Sequence, residues 1–357
     1  LGIRLRHLKR LKRRYHQGGE VALAHASRGR PRPRRTPPLV RRQILPLART
    51  PYVGFNDHHR GEKLREVEGL QLSREPLRRR LRAAGIGPPR QRRPPAHRQR
   101  RVRRPREGER LQVDGSPHPG REDRGPLLTR LGFQDDATSK VVGAQFFPTA
   151  STDGSCRVFR AVLRRSGVPL SLSGDRGGGF VRNDDHWTWD QPLAGRRQPT
   201  QFGRALQQLG VTFSPAHRPQ AQGRSERLGG VFQDRLSSEL RLAGAADLAT
   251  ANQVLCRFLP DSNRRFGRAP AHAETAWRTP PRDLDRIGCF IHERIVSNDN
   301  IIPWEGRRFQ IPPQPRRFRF AGARVQLYQS LEGQVAIDYG DTKLQSPGVL
   351  VHMISDT

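Results

Sequence analysis

Residues 110–148 read RLQVDGSPHPGREDRGPLLTRLGFQDDATSKVVGAQFFP. Three runs within this stretch, RLQVDGS, LLTRLGFQDDATS and KVVGAQFFP, have the composition and punctuation of consecutive antiparallel strands joined by tight connections. Asp114 interrupts the first run, alternating with Gln112 after Leu111 and Val113. A carboxylate inside a central strand is costly unless it is paired or bound to a metal.

Downstream, SCRVFRAVLRRSG (155–167) is a helix with Val158, Val162 and Leu163 toward a core. VPLSLSGDRGGGF (168–180) is a strand running into a glycine-rich loop. TQFGRALQQLG (200–210) is a helix, VTFSP (211–215) a strand, and PQAQGRSERLGG (219–230) opens a helix whose Leu228, Val231, Phe232, Leu236 and Leu240 recur at helical spacing. A last helix, DLATANQVLCRFLPDSNRRF (247–266), closes the unit. Three strands, helix, strand, helix, strand, helix predicts a mixed α/β domain over residues 109–275.

Two more acids stand out. Asp175 ends the fourth strand, at the kind of strand end where ligand groups gather. Glu226 lies on the first turn of its helix, about 200° from Leu228 and off the apolar stripe. There it suits the helix dipole, and it also suits a third oxygen ligand if the first and fourth strands are neighbours. Three carboxylates with no His or Cys partner suit Mg²⁺ or Mn²⁺. Two such ions about 4 Å apart can activate water or a 3′-hydroxyl and stabilise the leaving oxygen of a phosphodiester. His217, Gln220 and Gln222 flank the helix mouth, as phosphate or DNA-strand contacts or as loop hydrogen-bonding groups.

The 357-residue chain is long enough for two or three domains, and its 34% apolar content is low for one large core. Residues 1–110 hold 33 Lys+Arg against 8 Asp+Glu, so 25 of the 33 net positive charges sit there. Regional basicity implies a polyanion partner, with DNA or RNA foremost. A membrane surface fits less well, because the basic region lacks an aromatic-rich apolar face. Arginine dominance suits bidentate phosphate contacts, and a GC-rich genome gives the same bias. Cys156, Cys256 and Cys289 form no CxxC pair, which argues against a disulfide framework and for a reducing compartment. No run of membrane-spanning length and no signal peptide is visible. The expected location is the bacterial cytoplasm, in association with the nucleoid. The chain begins at Leu1 inside a helical pattern, which reads as a truncated or misassigned start.

Residues 1–27 predict a partial helical segment with Leu5, Leu8 and Leu11 as a narrow stripe, and 28–38 a basic linker. Residues 39–86 predict three helices, the third opening on Ser73 as N-cap. The short EGLQLS turn matches a helix-turn-helix, with Arg74, Arg78, Arg79 and Arg82 on or beside the recognition helix. The alternative is a three-helix bundle with a solvated basic face. Residues 87–108 form a second Pro- and Arg-rich linker, expected to be disordered without nucleic acid. Residues 285–345, with turns at SNDN, EGR, LEGQ and YGD, predict a small β-barrel.

Taken as an ordered set, LQVDGS, DRGGGF and PQAQGRSER resemble the catalytic core of ISNCY-type insertion-sequence transposases. PQAQGRSE also looks like the PQSQGxxE segment of retroviral integrases. QDDATS, TQFGRALQQLGV, QDRLSSELRL and SNDNIIPWEGRRFQIPP extend the match over almost the whole chain. The resemblance implies a multidomain protein: an N-terminal helix-turn-helix region (the first segment being a truncated one), a central RNase H-like core and a C-terminal SH3-like barrel. It also implies a DDE triad of Asp114, Asp175 and Glu226 using Mg²⁺ or Mn²⁺, double-stranded DNA as partner (transposon ends and target), and a homo-oligomer on DNA. In that pattern DDATS is a turn whose acids bond backbone amides; apart from the pattern, Asp136 is kept as a candidate supporting residue behind the site.

The 61 residues from Asp114 to Asp175 suit such a core. The 51 from Asp175 to Glu226 exceed the short retroviral interval and fit an insertion at 181–200. There Trp187 and Trp189 read as lid packing rather than base stacking, and Asp184, Asp185 and His186 as a polar turn. The glycines after Asp175 and the Gly229-Gly230 pair depart from the pattern. Two other readings stay open: a decayed remnant that only binds DNA, and an RNase H-like nuclease.

Overall fold

The chain was analysed as a computed structural model that describes residues 4–24, 28, 36–89, 101–118, 124–174, 199–215, 219–313 and 317–345. It divides into two units, Leu1–Arg90 and Gln91–Thr357. The first holds α1 (Leu5–Gly18), α2 (Pro38–Arg49), α3 (Asp57–Glu66) and α4 (Arg74–Ala83). Ile44, Ala48, Tyr52, Phe55, Leu64, Leu77 and Leu81 form its core. The Asn56 side chain accepts from His59 N at 2.8 Å and so caps α3. Ser73 is the N-cap residue of α4, though its side chain makes no capping bond.

The second unit is built on a five-stranded sheet. Strand β1 (Arg110–His118) pairs antiparallel with β2 (Leu128–Asp135), and β2 antiparallel with β3 (Val141–Phe147). On its other edge β1 runs parallel to β4 (Ser171–Gly174), which runs parallel to β5 (Thr212–Pro215). The order is β3-β2-β1-β4-β5, so the first and fourth strands are neighbours.

The pleat sends alternate residues to opposite faces. Leu111, Val113, Leu131 and Phe133 pack on one face with Phe159 and Val162 of α5 (Thr152–Ser166) and Phe202 and Leu206 of α6 (Gln201–Gln208). Leu128 and Phe146 on the other face pack with helix α7 (Pro219–Val231), the π-helical turn Phe232–Leu236, α8 (Ser237–Leu242) and α9 (Leu248–Phe266). The apolar residues 228, 232, 236 and 240 recur every fourth position, which drifts about 40° per step round an α-helix. One wider turn takes up that drift and keeps all four on the sheet.

Two expectations change here. Residues 101–108, read as linker, belong to the unit: Leu170 N bonds Gly108 O at 3.0 Å, His272 N bonds Pro105 O at 3.1 Å and Ala276 N bonds Glu107 O at 2.8 Å. Backbone satisfaction of this kind outweighs a proline- and arginine-rich composition.

Among the described residues the C-terminal strands also form no closed barrel. After α10 (Leu284–Ile287), strands β6 (Phe290–Ile295), β9 (Arg324–Gln329), β10 (Val335–Tyr339) and β11 (Thr342–Gln345) form an open sheet ordered β11-β10-β9-β6. Strands β7 (Ile301–Trp304) and β8 (Arg307–Gln310) pair only as a separate hairpin. Its turn has positive φ at Glu305 (47°) and Gly306 (75°), as a two-residue hairpin loop requires. Strands β7 to β11 share one core around Ile302, Phe309, Val325, Leu327 and Ile337, while Phe290 of β6 packs against the core of the five-stranded sheet.

This sheet is fastened to the α5–α6 face of the five-stranded sheet. Leu331, 4% exposed, enters the core cluster of that face. Gln201 and Ile291 exchange two bonds, Nε2 to the carbonyl at 2.7 Å and backbone N to Oε1 at 3.0 Å. Arg157 bonds the Leu331 carbonyl, Arg160 pairs with Glu332 and Arg164 with Asp285. The hydrogen bond from Arg160 holds the Glu332 carboxyl below the usual glutamate range. A depressed carboxylate pKa contributes stability above the unfolded value of about 4.3, and that contribution is lost as pH falls through the lowered value. Acidification below pH ~4 is therefore expected to speed amide exchange in the 330–334 turn before the sheet core opens, read by hydrogen–deuterium exchange.

Candidate functional site

Asp114 shares the α7 face of the sheet with Gln112, and it pairs across β2 with Gly132. Its side chain is one-third exposed, and Oδ2 accepts from Arg130 Nη2 at 2.9 Å. Arg130 projects two residues along β2, on the same face, so its side chain must run over Gly132 to reach Asp114. A Cβ at residue 132 would lie 3.1 Å from Arg130 Nη1, and glycine there leaves the path open. Arg130 is 1% exposed, and its guanidinium lies 4.5 Å from the Phe232 ring centroid. Burial pushes its pKa down while Asp114 opposes that shift. The guanidinium stays charged.

Next to Asp114, β4 closes tightly on β1. A Cβ on Gly174 would fall 2.5 Å from Val113 Cγ1. Val113 is β-branched and stiff, so Gly174→Ala is expected to cost about 1–3 kcal/mol by pushing the strands apart. The check is a lower urea midpoint with an unchanged m value. The described part of β4 ends at Gly174. Asp175 lies outside the described residues, as does His217.

Glu226 is an exposed residue of α7, and α7 packs on the sheet face that carries Asp114. Two clamps flank it. Downstream, Phe232 lies against Arg130. Upstream, Arg224 forms an ion pair with Asp136 at the end of β2, and its Nη2 donates to the Arg101 carbonyl at 2.6 Å. Gln222 is in α7, with its side chain outside the described residues. Among the described residues no three His, Cys, Asp or Glu side chains form a metal-holding group.

The two acids of DDATS divide the work. Asp135 accepts from Gly108 N (3.0 Å) and from Thr138 N and Oγ1 (both 2.7 Å), closing the turn as expected. Burial pushes its pKa up, against those bonds. Asp136 also bonds a backbone amide, Arg104 N at 3.0 Å through Oδ2, and adds side-chain partners, accepting from Gln112 Nε2 at 2.9 Å and from Arg101 and Arg224. Sequence reasoning overlooked Arg130 and Arg224, and read Phe232 only as part of the apolar stripe of its helix. The only trace was an arginine inside an apolar strand and another beside Glu226.

In the first unit, Arg74, Arg78 and Arg79 are exposed on α4, with Glu75 3.8 Å from Arg78 and 3.5 Å from Arg79. Arg82 is engaged internally, paired with Asp57 and donating to the Ile86 carbonyl at 2.7 Å.

No family model matches the chain. It is 32% identical over 341 residues to y4bF of Sinorhizobium fredii, a protein named provisionally as a transposase, covering 94% of this chain and 73% of that one. It is 25% identical over 385 residues to the transposase for insertion sequence IS1202 of Streptococcus pneumoniae, covering 95% and 79%. Among solved structures, the BIV integrase catalytic core aligns with 46% of this chain and 90% of its own, at 20% identity and TM-score 0.31. A simian T-cell lymphotropic virus intasome chain aligns with 87% and 98%, at 12% identity and TM-score 0.35. Among the described residues no helix is long and apolar enough to cross a membrane.

Proposed function

The chain belongs to the insertion-sequence transposases, and from that premise we propose that it cuts and joins DNA strands at element ends with Asp114, Asp175 and Glu226 as its acids. One observation carries the reading. Asp114 stands on the central strand, facing the helix that bears Glu226, next to the strand that leads directly into Asp175. Asp175 follows Gly174 by one peptide, and peptide geometry limits that step to about 3.8 Å between Cα atoms.

The donor set fits a hard divalent cation, because all three groups are carboxylates. Asp114, Asp175 and Glu226 would hold Mg²⁺ or Mn²⁺, as two ions. Bound there, such ions would supply Lewis-acid stabilisation and a lowered pKa for the attacking water or 3′-hydroxyl. The chain's own part is to aim its oxygens. Arg130 orients Asp114 through Oδ2, and the buried Phe232 ring limits where that guanidinium can go. Helix α7 carries Glu226 over the same face.

On the DNA side, α3 and α4 serve as a helix-turn-helix whose exposed Arg74, Arg78 and Arg79 meet phosphates or guanine edges. Arg82, held by Asp57, supports the fold of that pair and reaches DNA only as a fourth charge. His217 and Gln222 contact the strand at the mouth of α7. The C-terminal β region adds a further DNA-facing module, and the chain works as a homo-oligomer in the cytoplasm on nucleoid DNA.

The test incubates the purified chain with duplexes carrying the element's terminal repeats, with Mg²⁺ or Mn²⁺ and with chelator. Metal-dependent nicking at the repeat boundary and joining to a second duplex are expected. Binding without nicking would favour a DNA-binding remnant. Preferential cleavage of an RNA–DNA hybrid would favour a nuclease of the same fold.

A further inference from the structure

We infer that Asp136 is a positioning residue for the Glu226 helix, acting through Arg224. The inference rests on Glu226 serving as the third acid. Asp136 is wholly buried, and its partners come from separate places in the chain. Oδ1 accepts from Gln112 of β1 at 2.9 Å and from the guanidinium groups of Arg101 and Arg224; Oδ2 accepts from Arg104 N at 3.0 Å. Asp135 already closes the turn through Thr138 N and Oγ1, so the turn does not need Asp136 in order to close. What Asp136 adds is a tie between the end of β2, the incoming segment at 101–104 and the first turns of α7.

That tie sets a rotation. Residues 224 and 226 are about 200° apart round a helix, so holding Arg224 against the end of the sheet fixes the direction in which Glu226 leaves the helix. A second pin, Phe232 on Arg130, sits eight residues on, about 12 Å along the axis. Between the pins lie Gly229 and Gly230, and a Cβ at either would meet no atom within 4 Å among the described residues. Two glycines make that stretch of helix deformable, so the aim of Glu226 depends on the pins. A charge-assisted contact to a buried carboxylate, backed by a second bond from the same guanidinium, is a strong and directional pin. Arg224 provides it with one nitrogen on Asp136 and the other on the Arg101 carbonyl.

The experiment titrates the full chain with Mn²⁺ alone by calorimetry and records thermal unfolding in parallel. It compares wild type, Arg224→Gln, Arg224→Lys, Asp136→Asn, the Asp136→Asn/Arg224→Gln double variant and Glu226→Gln. Arg224→Gln and Asp136→Asn are expected to weaken Mn²⁺ binding about 10–100-fold, the usual cost of losing a group that orients a ligand. Arg224→Lys should fall between these and wild type. The double variant should bind no more weakly than Asp136→Asn, because both changes break one contact. Arg224→Gln leaves Asp136 its Arg101 partner, so it carries the test even if Asp136→Asn does not fold. A lowered unfolding midpoint with unchanged Mn²⁺ affinity in Arg224→Gln would reduce the cluster to a structural one and overturn the inference alone, provided Glu226→Gln weakens binding. If Glu226→Gln leaves Mn²⁺ affinity intact, the assignment of the third acid falls, and this inference with it.

Discussion

Asp114→Asn is expected to lower metal-dependent strand cleavage about 10³-fold or more while leaving a protein that still folds. The replacement keeps the shape and an oxygen that can accept from Arg130, but it removes a full negative charge from the proposed ion site. Metal assistance contributes several kcal/mol to such displacements, and each ~1.4 kcal/mol is a factor of ten in rate. The same change strands the charge on Arg130, which is 1% exposed and lies against the Phe232 ring. Breaking a fully buried ion pair costs about 3–5 kcal/mol. Asp114 is 34% exposed on its side chain, so screening brings the expected loss to roughly 1–2 kcal/mol. Urea unfolding measures the second effect, and cleavage assayed well below the unfolding midpoint isolates the first. Activity equal to wild type would remove Asp114 from the mechanism.

Phe232→Ala should produce the largest loss of stability. Phe232 is fully buried in the cluster that packs α7, α8 and α9 on the sheet. Truncating such a ring costs about 3–5 kcal/mol, and losing the cation–π contact with Arg130 adds about 1–2 kcal/mol at a desolvated site. The sum approaches the whole stability of many domains, so low soluble yield and a broad, early thermal transition are expected. Phe232→Leu separates the two contributions. It restores most of the apolar volume but offers Arg130 no π face, so it should fold with a modest loss and still show weakened metal-dependent cleavage. If Phe232→Leu matches wild type in both measurements, the Phe232–Arg130–Asp114 chain of contacts has no part in orienting the acid.

The elements were largely legible because their signals are local. Alternation and turn residues mark β1 to β3 and helical spacing marks α5 and α9. The helix bearing Glu226 was also legible, but it begins at Pro219, so Glu226 lies about two turns in and not on the first turn, because residues 219–225, whose composition reads as a loop, extend the helix backward. Other features were not legible because they depend on partners far away in the chain. The acids Asp135 and Asp136 are adjacent in sequence, yet one bonds backbone amides 3 and 27 residues away and the other meets guanidinium groups 35 and 88 residues away. The residues at 101–108 have a linker's composition, and their integration comes from backbone bonds to segments around 170 and 270. The turns of the C-terminal region were readable, whereas closure depends on whether its edge strands meet, and among the described residues they do not.

By itself the sequence determined that the chain is a basic helical region followed by an α/β domain and a β-rich tail, and it singled out Asp114 as an acid inside a strand. Periodicity, turn chemistry and the cost of a carboxylate in a strand carry that much, because each acts over a few residues. Only the tertiary structure decided that β1 and β4 are neighbours, that Asp114 faces α7, that Arg130 crosses Gly132 to reach it, and that Arg224 ties the Glu226 helix to Asp136. Those are pairings between distant segments. What selects them is the joint burial of two sheet faces and the need of each buried charge for a partner, neither of which is expressed in any single stretch of the chain.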